Sequence, residues 1–171
     1  MNKKKVIISW LMVIIWMGTI FYLSSMNTGE SNGKSKKVID KVVTTTIDTT
    51  NNTGITDKHP TNKEKTKLVD TLNKPLRKCA HASVYFILAI LILYSLLNTF
   101  NSLTNKYYLA IIITIVLCFT YSLSDEYHQT FVPGRTGQFS DCLIDTAGSS
   151  LGTILYTLSH KIYTKRIKKK G

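Results

Sequence analysis

Residues 125–152 read DEYHQTFVPGRTGQFSDCLIDTAGSSLG. The stretch holds four carboxylates (Asp125, Glu126, Asp141 and Asp145), His128 and a Pro133-Gly134-Arg135 turn, set between two apolar runs. The run before it, Tyr107 to Leu123, has about 17 residues without a charge, which is membrane-helix length. The run after it, near Ser140 to Ile162, is less hydrophobic because it carries Asp141 and Asp145. Ionisable groups near membrane depth are costly and persist where they pair or act. The fold and the candidate site are therefore read from this one stretch.

Working outward, two more apolar runs precede it. Val6 to Leu23 covers about 27 Å as a helix, enough for a hydrocarbon core. It is longer than a usual signal-peptide core, and Phe21-Tyr22-Leu23-Ser24-Ser25-Met26 is a poor cleavage site, so a retained span is expected. Cys79 to Leu97 is the second run, and Pro75 before it suits the first turn of its helix. Between them lies a polar segment rich in Thr, Asn, Lys and Asp. Its composition favours loop or disorder, with Val38, Ile39, Val42 and Val43 as one short amphipathic turn on the membrane surface.

The fold class expected is an all-α membrane protein of four transmembrane helices with one long extracytoplasmic loop. The divisions are 1–23 as the first span, 24–74 as the loop, 75–162 as a three-helix core and 163–171 as a basic tail.

The chain has 171 residues and a net charge of +12. The charge concentrates at the ends, in Lys3-Lys4-Lys5 and in Lys161, Lys165, Arg166 and Lys168 to Lys170. Basic flanks on apolar spans report orientation, not nucleic-acid binding, and here they place both termini in the cytoplasm. The long loop is basic too, but long loops carry little orientation information. Cys79, Cys118 and Cys142 form no C-x-x-C pair, and Cys and His are not clustered at ligand spacing. No disulfide framework, metal or cofactor is expected.

With both termini inside, four polar pieces meet at the outer face. They are the end of span one, Arg77 and His81 at the start of span two, 125–135 after span three, and Asp141 and Asp145 at the start of span four. Arg77, His81 and Tyr85 share one helix face at i, i+4, i+8. Interfacial anchoring accounts for Lys78 and for a belt Tyr, but poorly for His81. Asp141, Asp145, Gly148 and Gly152 share another face. Gly148-x-x-x-Gly152 reads as close helix packing, which leaves the two carboxylates unexplained.

Pro133-Gly134 would present Arg135, either to a phosphate or carboxylate through its bidentate fork or to Asp141 or Asp145 as a salt bridge. Asp125 and Gln129 share a face. Glu126 with His128 is too small a set for a metal. Ser122, Ser124 and Ser140 lack a nucleophile-elbow context, and Cys142 among acids makes a poor thiolate.

At these residues the chain resembles the VanZ-like membrane protein family. The matching pieces are Phe21-Tyr22-Leu23-Ser24-Ser25, Arg77-Lys78-Cys79-Ala80-His81 with Tyr85, Asp125 to Arg135, and Asp141 to Gly152. They touch all four spans and leave out the long loop. The resemblance implies a multi-pass protein of the bacterial cytoplasmic membrane, linked to the cell envelope. The family's named member is associated with low-level resistance to the glycopeptide teicoplanin. No settled reaction comes with the resemblance.

The residues favour a binding protein whose outer pocket takes an anionic envelope lipid, a precursor or a lipophilic glycopeptide. Its binding residues would be Arg77, His81, Tyr85, Asp125, Glu126, Gln129, Arg135, Asp141 and Asp145. The rivals are a hydrolase or transferase acting on a lipid-linked substrate through His81, Glu126, Asp141 or Asp145, and a structural partner protein that works through its Gly face.

Overall fold

In a bilayer only a helix satisfies the backbone of a single long apolar run, and the described chain is all-α. The computed structural model describes residues 3–26, 28–52, 61–100, 103 and 106–168. The helices are α1 (Lys3–Ser25), α2 (Thr28–Asn52), α3 (Asn62–Thr99), α4 (Tyr107–Gln129) and α5 (Phe139–Lys168). Helix α3 is the hub, in contact with all the others. Its inward residues Tyr85, Leu88, Ala89 and Leu93 are fully buried, and Val13 and Ile20 of α1 and Ala110 and Cys118 of α4 close on them.

Polar handles fix the register. Trp10 Nε1 donates to Thr99 Oγ1 at 2.9 Å and Trp16 Nε1 to the Val84 carbonyl at 2.9 Å, so α1 runs antiparallel to α3. Tyr121 Oη donates to the Met17 carbonyl at 2.7 Å and His128 Nε2 meets Ser25 Oγ at 3.2 Å, which together set α4 parallel to α1. Helix α5 runs parallel to α3. A Cβ on Gly148 would lie 2.3 Å from the Ala82 carbonyl oxygen, and one on Gly152 would lie 2.4 Å from that of Phe86. The two backbones therefore touch along this face, as small residues permit in lipid.

Three helices among the described residues are long and apolar enough to cross a membrane: Lys3–Ser25, Lys63–Thr99 and Tyr107–Gln129. Four spans were expected, and α5 is the one that does not meet this measure. Helix α5 has the length, at 30 residues, but not the composition. The reason is its two-sidedness. Asp145, Ser149 and Thr153 are buried in the bundle, while Leu151, Ile154, Leu155 and Leu158 face outward.

The polar segment after α1 departs from the expected loop. Much of it is helical: α2 packs on an N-terminal extension of α3 through Ile39, Val43 and Val69. Lys36 bridges Asp70 at 2.7 Å and Lys65 bridges Asp40 at 3.5 Å across the pair. Val38 and Val42 stay exposed. Pro75 is inside α3, not at its start. The helix begins at a capping box, where the Thr61 N–H donates to Glu64 Oε2 at 2.9 Å. With 38 residues, α3 is about 57 Å long and outreaches a hydrocarbon core of about 30 Å. The extension and α2 stand beyond the apolar part. Residues 53–60 of the segment lie outside the described residues, as do the last three residues of the basic tail.

Candidate functional site

Antiparallel and parallel neighbours bring four chain segments to one end of the bundle. These are the end of α1, residues 77–85 of α3, the end of α4 and the start of α5. A turn joins the last two. The Arg135 N–H donates to the Val132 carbonyl at 3.0 Å, and Gly134 has φ of 76°. Pro followed by a positive-φ Gly is the type II pattern. The Gln138 N–H donates to Glu126 Oε2 at 2.8 Å, so Glu126 holds the approach to α5. Gly137 is obligatory there: a Cβ would fall 2.3 Å from the Glu126 carbonyl oxygen.

Beneath the turn sits a buried polar group. His81 Nδ1 lies 3.2 and 3.3 Å from the two oxygens of Asp145, and Ser122 Oγ donates to Asp145 Oδ2 at 2.6 Å. His81 Nε2 points the other way, 3.6 Å from Asp125 Oδ2. Gln129 Nε2 bridges the two acids of α4, at 3.4 Å from Asp125 Oδ2 and 3.2 Å from Glu126 Oε1. Asp125, Glu126, Gln129 and Asp145 are all buried. Among the described residues, Asp125 Oδ1 and the hydroxyls of Ser24 and Tyr85 are buried without a hydrogen-bond partner. Ser24 and Tyr85 both face Asp125, and the Tyr85 ring is tilted 5.7 Å from that of His81.

The mouth is basic. Lys78 Nζ bridges Asp141 Oδ1 at 2.6 Å. Arg135 Nε donates to the Met26 carbonyl at 3.0 Å, which ties the turn to the end of α1. Burial, and then the like charge of Arg77 nearby, hold the Arg135 guanidinium below its ordinary pKa. It remains a cation at any physiological pH. Between mouth and floor is a cleft of about 940 Å³ that reaches from Arg77, Lys78 and Arg135 down to His81, Glu126 and Asp145. Apolar side chains wall it, among them Ile20, Leu23, Leu76, Val84 and Ile144.

The structure thus gathers Arg77, His81, Tyr85, Asp125, Glu126, Gln129, Arg135, Asp141 and Asp145 at one end. The pairing differs from a bridge between Arg135 and Asp141 or Asp145, since those acids meet Lys78 and His81. His128 stands apart. Its ring stacks on Phe21 at 4.3 Å and its Nε2 lies 3.2 Å from Ser25 Oγ, so it does not work beside Glu126. Sequence reasoning missed Ser122 as a partner of Asp145, and Gln138 and Gly137 as supports of Glu126. Ser122 lies one helical turn before Asp125 and Glu126, on the same face, which was a usable signal. Gln138 acts through its backbone and had none.

His81, Asp125 and Glu126 also present one ligand atom each within 4.8 Å of one another. That trio joins two helices, and no short sequence motif contains it.

No curated protein and no solved structure matches the chain. The family model described as VanZ/LLP1 matches residues 9–160, which takes in α1 and the segment after it as well as the three later helices. The chain is a multi-pass membrane protein and belongs to the VanZ/LLP1 family.

Proposed function

We propose that the cleft binds the anionic headgroup of an envelope lipid or lipid-linked precursor. The observation that carries the reading is that Arg77, Lys78 and Arg135 line one cleft with apolar walls. Guanidinium groups converging on one mouth favour an anion there, which each can grip through its planar fork. The apolar residues below and beside them fit an alkyl chain continuing from that anion. Glu126 and Asp145 line the floor opposite, beside His81 and Gln129, so a phosphate would sit at the rim and not deep in the bundle.

The reading includes a topology. Helix α5 crosses the bilayer with its partners, its acids shielded inside and its outer leucines in lipid. Lys-rich termini then lie in the cytoplasm and the cleft opens outside.

Titration of the purified chain in neutral nanodiscs with an anionic and a zwitterionic lipid tests the binding. The wild type is expected to retain the anionic lipid selectively. Arg135→Lys keeps the charge and loses the fork, so its affinity falls on the order of tenfold, the worth of about 1.4 kcal/mol. Equal retention by Arg135→Lys and Arg135→Ala would remove Arg135 from the site. The catalytic alternative rests on the polar set at the floor. It predicts a new lipid mass in the same incubation, lost in Asp145→Ala.

A further inference from the structure

We propose that His81, Asp125 and Glu126 form a site for one divalent first-row transition-metal ion. The inference goes beyond headgroup binding and stands without it. Three observations converge. One ligand atom from each residue lies within 4.8 Å of the others, a spacing that an ion coordinated at about 2.0–2.2 Å bridges with small side-chain adjustments. His81 Nε2 and Asp125 Oδ2 face each other at 3.6 Å, beyond hydrogen-bond length. Asp125, only 2% exposed, has Oδ1 buried with no hydrogen-bond partner among the described residues.

The surroundings have the form that metal ligands require. Asp145 faces His81 Nδ1 at 3.2 Å, so the imidazole donates that proton to it and leaves the Nε2 lone pair on the side of Asp125 and Glu126, where an ion would sit. A carboxylate behind a histidine in this way fixes the tautomer and strengthens the ligand nitrogen. Ser122 in turn fixes Asp145 at 2.6 Å. The Gln138 N–H and Gln129 Nε2 each hold one oxygen of Glu126, at 2.8 and 3.2 Å.

Charge makes the same demand. Asp125, Glu126 and Asp145 are buried beside a single imidazole, and buried charge of one sign must be neutralised. The mixed nitrogen and oxygen donor set selects Zn²⁺ or Mn²⁺ over Mg²⁺ or Ca²⁺, which prefer oxygen alone. The ion would lie at the cleft floor with positions open toward the cavity.

The test uses the full chain in lipid-free detergent, stripped with a chelator and dialysed against Zn²⁺ or Mn²⁺ alone. Elemental analysis should find about one ion per chain, undisplaced by excess Mg²⁺. Asp125→Asn and Glu126→Gln should lose it, and Asp70→Asn, in the α2–α3 bridge, should keep it. Because a floor variant can misfold, the wild type carries its own check. Electron spin-echo spectra of the Mn²⁺ form should show modulation from one imidazole nitrogen.

No bound ion in the wild type overturns the proposal. So does an ion without nitrogen coupling, or one retained at full stoichiometry by both floor variants, and the pocket is then neutralised by protons. Because no lipid is present, none of these outcomes bears on headgroup binding.

Discussion

Tyr85 shows what a single buried atom can reveal. Its side chain is fully buried in the core, yet its hydroxyl meets no hydrogen-bond partner. A satisfied buried hydroxyl contributes about 1 kcal/mol when kept, whereas an unsatisfied one contributes nothing or destabilises. Tyr85→Phe is therefore expected to leave stability unchanged or raise it by up to about 1 kcal/mol, read from reversible unfolding in mild detergent. A loss larger than that would show that the hydroxyl is bonded in the folded chain.

The contrasting residue is Asp145, held by His81 and Ser122 together. Removing one partner of a buried ionic pair costs about 3–5 kcal/mol, so Asp145→Ala should unfold at clearly lower denaturant. Asp145→Asn keeps a hydrogen-bonding group and should lose less. If the two variants match wild type, the His81–Asp145 contact has no structural weight.

At the scale of elements, the α3–α5 contact depends on absent side chains. Gly148→Ala would place a methyl 2.3 Å from a backbone oxygen of α3. Helices must then separate, at a cost of about 1–3 kcal/mol. The same substitution at Gly18, with open space around it, should be close to neutral or slightly stabilising. Comparable losses at both positions would contradict the packing.

The helices were legible to different degrees. Long uncharged runs announced α1, α4 and the apolar part of α3. Helix α5 was legible as a helix, but its composition mixes an inner polar face with an outer apolar one, which is why it fails a hydropathy criterion. Helix α2 was illegible because its many Thr, Asn, Ser and Gly residues have weak helix preference and its apolar stripe is short. Ile39 and Val43 looked like one isolated turn until Val69 supplied their partner. The start of α3 was written in Thr61-x-x-Glu64, a capping box overshadowed by the nearby Pro75.

At the scale of the whole molecule, charges stranded in apolar runs marked the site, and antiparallel packing collected them. Which charge meets which was not legible, because a pair across two helices depends on their rotation and register. Lys78 and Asp141 are bridged, as are His81 and Asp145, while Arg135 reaches a backbone carbonyl of the α1 end. Topology has a direct check. In a chain whose three native cysteines are replaced by Ala, Ser140→Cys sits at an exposed position on the cleft side. An impermeant thiol reagent should label it in intact cells. Labelling only after membrane disruption would invert the proposed orientation.

The central claim is that the arginine-rimmed cleft holds an anionic headgroup, and native mass spectrometry of the chain released gently from its own membrane tests it most directly. Wild type should retain an anionic lipid, about one per chain, and Arg135→Ala should lack it. A wild-type chain released bare, or carrying zwitterionic lipid to the same extent, would contradict it.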